Sequence, residues 1–74
     1  MNGYFAQERK IYIIKQLQHN NGISLAEMAQ NLNVSTRTIR NDLKSINKEL
    51  EDAAFIEVKQ GSCCLYTTNR KKLE

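Results

Sequence analysis

The sequence predicts a mainly α-helical fold in which three helices are followed by a small β-hairpin. Apolar residues recur at helical spacing through the first two thirds of the chain. The last third instead holds two short runs of β-branched and aromatic residues on either side of a glycine. A length of 74 residues accommodates one domain with a small core.

The first helix is predicted over about residues 6–18. Its apolar side chains follow the i, i+3, i+4 spacings of a single stripe, which contains Ile11, Ile13, Ile14 and Leu17. We expect the helix to end near Asn20-Asn21-Gly22, because glycine adopts the left-handed conformation that commonly closes a helix. The neighbouring aromatic residues are expected to pack in the core or in an interface; they are Tyr4, Phe5 and Tyr12.

Two serines mark the starts of the next two helices. Ser24 and Glu27 have the spacing of a capping box, in which the serine oxygen accepts a hydrogen bond from the Glu27 amide while the Glu27 carboxylate reaches back to the start of the helix. Asn33 ends this second helix, since asparagine tolerates the left-handed conformation. Ser35 is an N-cap for a third helix over residues 36 to about 50 or 52. The predicted buried faces are Leu25, Met28, Ala29 and Leu32, then Ile39, Leu43, Ile46 and Leu50.

The end of the chain is predicted to form a hairpin, with strands at 55–59 and 63–67 and a turn at Gln60-Gly61-Ser62. A lone two-stranded hairpin is barely stable in water, so it must pack on the helices. We expect Ile56, Val58 and one of the two cysteines to cover the third helix. Residues 69–74 form a polar, basic tail.

The composition excludes several classes of function. Cys63 and Cys64 are adjacent and His19 is the only histidine, so neither a disulfide framework nor a metal site is expected. The sequence has no Ser/His/Asp set and no Gly-rich phosphate loop, so we expect no catalytic residues, no cofactor and no enzyme activity. The longest apolar run is far shorter than the ~20 residues of a membrane span, and no signal peptide is recognisable. We therefore expect a cytoplasmic protein with no membrane partner.

The second and third helices together match a helix-turn-helix unit. The second helix is short, Ala29 supplies the small side chain where two helices approach, and the turn from Asn33 to Ser35 is tight. The net charge of +3 is unevenly distributed. Residues 35–48 include four basic residues and one acidic residue, whereas residues 49–57 include four acidic residues and no basic one. A recognition helix that enters the major groove by its N-terminal half favours this polarity.

The run Val34-Ser35-Thr36-Arg37-Thr38-Ile39-Arg40-Asn41-Asp42-Leu43 resembles the winged helix-turn-helix domains of bacterial DeoR-type regulators. It is equally similar to the N-terminal domains of the BglG and Mga-like regulators, which the sugar phosphotransferase system controls. The resemblance extends over about residues 8–68. It implies three helices with a two-stranded wing, in a transcription regulator of sugar-linked operons. The wing departs from the family's pattern, because many relatives have Gly-x-Gly where this chain has Gly61-Ser62-Cys63.

The predicted partner is double-stranded DNA, with the third helix in the major groove and residues 55–68 as the wing. Arginine and asparagine can bond the edges of guanine and adenine, and the start of a helix suits a phosphate. The candidate DNA-binding residues are Ser35, Thr36, Arg37, Thr38, Arg40, Asn41, Lys44 and Lys59. Asp42 is an anion within this cationic stretch, so we expect it to pair with a basic group of the wing or the first helix.

Two other functions stay open. A winged helix can serve as a protein–protein docking module, although the basic third helix argues against that use. The chain also resembles the DNA-reading N-terminal domains of metabolic enzymes such as biotin ligases. We further expect it to be the N-terminal part of a larger regulator that forms a homodimer through regions outside these 74 residues.

Overall fold

The computed structural model describes residues 5–67, so the predicted basic tail and Tyr4 lie outside the described residues. Three helices precede an antiparallel hairpin, as predicted. The elements are α1 (Ala6–His19), α2 (Leu25–Leu32), α3 (Thr36–Leu50), β1 (Ala54–Lys59) and β2 (Ser62–Thr67). The helices and one face of the hairpin enclose a single apolar core. The fold is mainly helical and has the form of a small winged helix-turn-helix.

The core-facing side of α1 differs from the predicted stripe. Ile13 and Leu17 are buried, but Ile11 is 54% exposed. Residues two apart in a helix are separated by about 200° around the axis, so Ile11 and Ile13 cannot both face the core. Phe5 is 68% exposed, which excludes the first of the two places expected for it, the core, and leaves packing in an interface as the prediction. Tyr12 is half-buried, and its hydroxyl accepts a hydrogen bond from the side-chain amide of Asn31 at 3.0 Å.

The helix boundaries between α2 and α3 are those that the sequence predicts. The hydroxyl oxygen of Ser24 accepts a hydrogen bond from the Glu27 amide at 2.9 Å, which is the serine half of the predicted capping box. Asn33 adopts the left-handed conformation with φ of 59°, and the N–H of Val34 then donates to the carbonyl of Ala29. Leu25, Met28, Ala29 and Leu32 are all buried. These contacts fix the angle at which α3 leaves the turn.

The hairpin has a two-residue turn rather than the predicted three-residue one. Gln60 and Gly61 have φ values of 51° and 81°, whereas Ser62 already pairs with Lys59 in the ladder. Two successive positive φ angles give the turn a twist that matches the right-handed twist of the strands. Side chains alternate between the two faces of the hairpin. The inner face carries the buried Ala54, Ile56 and Cys63 and the half-buried Val58 and Leu65.

The connection between α1 and α2 pairs with β2 through an isolated antiparallel bridge between Ser24 and Ser62, for which the sequence carries no signal. The N–H of Gly22 donates to the carbonyl of Cys63 at 2.8 Å, and the N–H of Cys63 donates to the carbonyl of Ile23 at 2.9 Å. The N–H of Leu25 donates to the carbonyl of Gly61 at 2.8 Å. As a result, β2 lies between β1 and this connection, and the hairpin is joined to the helices by main-chain hydrogen bonds as well as by the core.

Candidate nucleic-acid interface

α3 carries apolar side chains on the side that faces the core and polar side chains on the side that faces solvent. Ile39, Leu43 and Ile46 enter the core, because they repeat at helical spacing. The opposite side, which we call the outer face, is exposed to solvent. It carries Arg37, Arg40, Asn41, Lys44 and Lys48. Four of these five side chains are cations, so the outer face is basic along most of the helix.

The acidic side chains of α3 point away from the outer face and toward α1. The guanidinium of Arg9 donates from Nε to Oδ2 of Asp42 at 2.6 Å and from Nη2 to Oδ1 at 3.0 Å. Lys10 forms a second ion pair with Glu49, with Nζ and Oε2 2.6 Å apart. The first-helix partner predicted for Asp42 is therefore confirmed, and the outer face keeps its positive charge.

The Arg9–Asp42 pair is partly buried, with the carboxylate deeper than the guanidinium. The side chains of Arg9 and Asp42 are 15% and 8% exposed. The hydrogen bond to Asp42 raises the pKa of Arg9 above its ordinary value, so the guanidinium is charged throughout the stable range of a protein. A bidentate pair at this depth also fixes the rotation of α3 about its axis, since Asp42 is held to the α1 side.

The start of α3 brings together four of the predicted site residues. The hydroxyl of Ser35 accepts a hydrogen bond from the Thr38 amide at 3.2 Å, and the two hydroxyls share a hydrogen bond of 3.1 Å. Ser35 and Thr38 therefore stabilise the helix start. Ser35 and Thr36 are exposed, as is the neighbouring Arg37. The amides of Thr36 and Arg37 precede the first hydrogen bonds of the helix, and together with the positive end of the helix dipole they favour an anion.

A cleft of about 370 Å³ separates α3 from β1. Its side chains combine positive charge with an apolar lining. Arg37, Arg40 and Lys44 supply the charge, Leu43, Ile56 and Val58 supply apolar surface, and Asn41 and Asn47 complete the lining. Four of the eight predicted site residues thus meet in one cleft. Lys59 is exposed but does not line it, because strand alternation places Lys59 on the hairpin face opposite Ile56 and Val58.

Sequence reasoning misses Asn47, which joins α3 to the wing. Its side-chain amide donates to the Ile56 carbonyl at 3.0 Å, and its side-chain oxygen accepts from the Ile56 N–H at 2.7 Å. Asn21 makes the same two-bond contact with Leu65 on the other strand. Neither asparagine carries a sequence signal for this role, because a polar residue at a helix edge or in a turn is ordinary. The partners become neighbours only when the hairpin docks.

Two other features of the described part of the chain bear on the kind of site present. Within residues 5–67, no three histidine, cysteine or acidic side chains cluster in a way that would hold a metal ion. No helix in the same range is long and apolar enough to cross a membrane.

Comparison with protein families gives one finding. The model of a family described as an HTH domain matches residues 9–62, from α1 to the first residue of β2. The match includes all eight predicted site residues. Searches of the curated proteins and of the solved structures give no significant match.

Proposed function

This chain belongs to the helix-turn-helix (HTH) domain family, and from that membership we propose that it binds double-stranded DNA sequence-specifically, with α3 as the recognition helix. The observation that carries the proposal is the separation of charge around α3. Four exposed cations lie on the outer face, while Asp42 and Glu49 pair with residues of α1. A surface of this kind attracts the phosphate backbone and leaves no adjacent carboxylate from α3 to repel it.

Different outer-face residues are proposed to make different DNA contacts. Arg37, Arg40 and Asn41 lie in the first half of α3, the part of a recognition helix that reaches base edges. Their side chains can form two hydrogen bonds to guanine or adenine, which gives sequence discrimination. Lys44 is a flexible point charge and is assigned to a phosphate. Ser35, Thr36 and Thr38 at the helix start, and Lys59 beside the hairpin turn, are assigned to further backbone contacts.

We further propose that the DNA-binding activity serves a bacterial transcription regulator of sugar-linked operons, and that the function is binding rather than catalysis. The support is the resemblance of residues 34–43 to the DeoR-type and BglG or Mga-like regulators. Such regulators would bind as homodimers to two half-sites. Half-sites about 34–36 Å apart would place both recognition helices on one side of the duplex.

A docking module remains the second candidate, and one observation favours it. The solvent side of the hairpin carries an exposed aromatic pair, Phe55 and Tyr66, whose ring centroids are 5.1 Å apart. Aromatic side chains are enriched in protein interfaces. The pair lies on the opposite side of the hairpin from the cationic cleft, so the two candidate surfaces can be altered separately.

The decisive experiment measures duplex binding by the variant Arg37→Ala/Arg40→Ala/Lys44→Ala. A duplex is first selected from a random library with the unaltered chain, and its affinity is then measured by fluorescence anisotropy over a range of salt concentrations. We expect the folded variant to lose most of its affinity and its salt dependence. Lys15→Ala is the control, since it removes an exposed cation of α1. Equal affinity and equal salt dependence in the triple variant would exclude α3 as the recognition helix and favour docking.

A further inference from the structure

The connection between α1 and α2 contains the dipeptide Asn21–Gly22. Asparagine followed by glycine is chemically labile, because a residue without a Cβ lets its main-chain nitrogen approach the preceding side chain. That nitrogen loses its proton and attacks Cγ of the asparagine, and the bond from Cγ to the side-chain nitrogen breaks with release of ammonia. Water then opens the five-membered imide at either carbonyl. The net change is one water consumed and one ammonia released, and the products are aspartate and isoaspartate.

In the folded chain, both reacting groups are held by β2. The N–H of Gly22, which must become the nucleophile, donates to the carbonyl of Cys63 at 2.8 Å. The carboxamide of Asn21, which must be attacked, donates to the carbonyl of Leu65 at 3.2 Å and accepts from its N–H at 2.8 Å. The hydrogen bond to Cys63 keeps the proton on the nucleophile, and the two bonds to Leu65 fix the direction of the carboxamide.

We propose that Asn21–Gly22 is a modification site whose deamidation is gated by the wing. The reaction is slow while β2 is docked on the α1–α2 connection and proceeds when β2 detaches. Asn21 is exposed, so water has access to it and docking controls only the first step. The observed rate then follows the fraction of molecules in which this part of the sheet is open.

The product would weaken the docking that had protected the site. A carboxylate at position 21 can still accept a hydrogen bond from the Leu65 N–H, but it cannot donate to the Leu65 carbonyl. It also places a negative charge beside that carbonyl oxygen. Isoaspartate adds one atom to the main chain, which displaces Gly22 from its hydrogen bond to Cys63. Deamidation would therefore release the wing from its side-chain attachment to the α1–α2 connection.

The test follows deamidation in the 74-residue chain incubated in mildly alkaline buffer. Peptide mapping by mass spectrometry separates conversion at Asn21 from conversion at Asn2, which also precedes a glycine. We expect Asn21 in the native chain to react at least about tenfold more slowly than in chain unfolded by urea. We expect its rate to rise steadily as the urea concentration increases toward the unfolding transition. Equal rates in native and unfolded chain, or a native rate independent of urea, would overturn the proposal.

Two pairs of variants sharpen the result. Ile56→Ala weakens the packing of the hairpin and should accelerate conversion of Asn21, whereas Lys15→Ala on α1 should leave it unchanged. If Ile56→Ala is unfolded, the urea series on the unaltered chain still gives the answer. Asn21→Asp imitates one product and should lower the melting temperature more than Asn20→Asp, which adds the same charge one residue earlier. Equal melting temperatures for these two variants would show that the product leaves the wing in place.

Discussion

Asn21 and Asn47 bind the two outer edges of one cross-strand pair in the hairpin. Asn47 holds the main-chain N–H and carbonyl of Ile56, Asn21 holds those of Leu65, and Ile56 is opposite Leu65 in the register. In alternate pairs of an antiparallel ladder, these groups point away from the partner strand. A carboxamide satisfies both, since it has a donor and an acceptor. The wing is therefore fixed to α3 on one side and to the α1–α2 connection on the other.

The contact of Asn47 with Ile56 predicts a measurable loss of stability on substitution. Asn47→Ala should lower the free energy of unfolding by about 1–3 kcal/mol, because two partly buried main-chain groups lose their partners. Asn47→Asp should also destabilise the chain, because a carboxylate accepts from the Ile56 N–H but cannot donate to its carbonyl. Urea denaturation followed by circular dichroism measures both effects.

Asn41 provides the matched control for Asn47 on the same helix. Asn41 is exposed on the outer face, so Asn41→Ala should change stability by less than about 0.5 kcal/mol. The same substitution should weaken binding to the selected duplex. If Asn41→Ala and Asn47→Ala destabilised the chain equally, the contact between α3 and the wing would not have the importance that we assign to it.

The ion pair between Arg9 and Asp42 predicts strong coupling in a double-mutant cycle. Arg9→Leu leaves the carboxylate of Asp42 without its main partner at a buried position, and it should cost about 3 kcal/mol of unfolding free energy. Replacing both residues by leucine should restore much of this loss, since no unpaired charge then remains. Thermal or urea unfolding of the two single variants and the double variant measures the coupling. Additive losses would show that the pair contributes little.

Hairpin packing predicts losses of stability of different size for two adjacent residues of β1. Ile56 is 5% exposed and belongs to the core, so Ile56→Ala should lower the free energy of unfolding by about 2–5 kcal/mol. Phe55 is 45% exposed and contacts Tyr66 on the solvent side of the hairpin, so Phe55→Ala should cost only about 0.5–1.5 kcal/mol. Melting temperatures compare them directly. A larger loss of stability in Phe55→Ala than in Ile56→Ala would show that Phe55, and not Ile56, faces the helices.

The two cysteines should differ in reactivity and in their effect on alkaline stability. Burial raises the pKa of the Cys63 thiol above its ordinary value of 9.0. As the pH rises above that value, the unfolded chain loses this proton while the folded chain keeps it, so the folded state loses stability. Over this pH range, the free energy of unfolding should decline more steeply in the unaltered chain than in Cys63→Ala. Cys64→Ser should keep most of this decline, because burial contributes more than the neighbouring Cys64 to the raised pKa of Cys63.

Thiol labelling provides an independent measurement on the same pair. Cys64 is half-buried and should react with a thiol reagent first, whereas Cys63 is fully buried and should react only when the hairpin opens. Mass spectrometry after a short exposure shows which residue is labelled. Labelling of Cys63 before Cys64 would contradict the inward orientation of Cys63.

The assigned DNA contacts predict different salt and sequence dependence for two residues of the outer face. Lys44→Ala should weaken binding to the selected and the scrambled duplex alike and reduce the slope of log affinity against log salt by about one. Arg40→Ala should reduce the preference for the selected duplex by about 1–3 kcal/mol, if its two bonds go to a guanine. Anisotropy titrations with both duplexes separate the two effects. Identical behaviour of the two variants would remove the distinction between base and phosphate contacts.

Local chemistry in the sequence determined the helices and which side chains α3 exposes as candidate site residues. Ser24, Asn33 and Ser35 mark helix ends through side-chain and main-chain preferences that act within a few residues, and each lies where it was predicted. The apolar spacing of α3 also identifies its outer face, because residues opposite a buried stripe are exposed at any docking angle. The pattern failed in α1, where four apolar residues fit more than one stripe and only the packing of α1 selected Ile13 over Ile11.

Tertiary structure alone decided how the wing is attached and where the charges of α3 are neutralised. The sequence offered both the wing and the first helix as partners for Asp42, and the approach of α1 selected Arg9, 33 positions earlier. The strand-like pairing of residues 22–25 with β2, and the contacts of Asn21 and Asn47, join segments that are distant along the chain. Their energy depends on the position of a partner that no local pattern specifies. Those contacts exist only after the core has brought the hairpin against the helices.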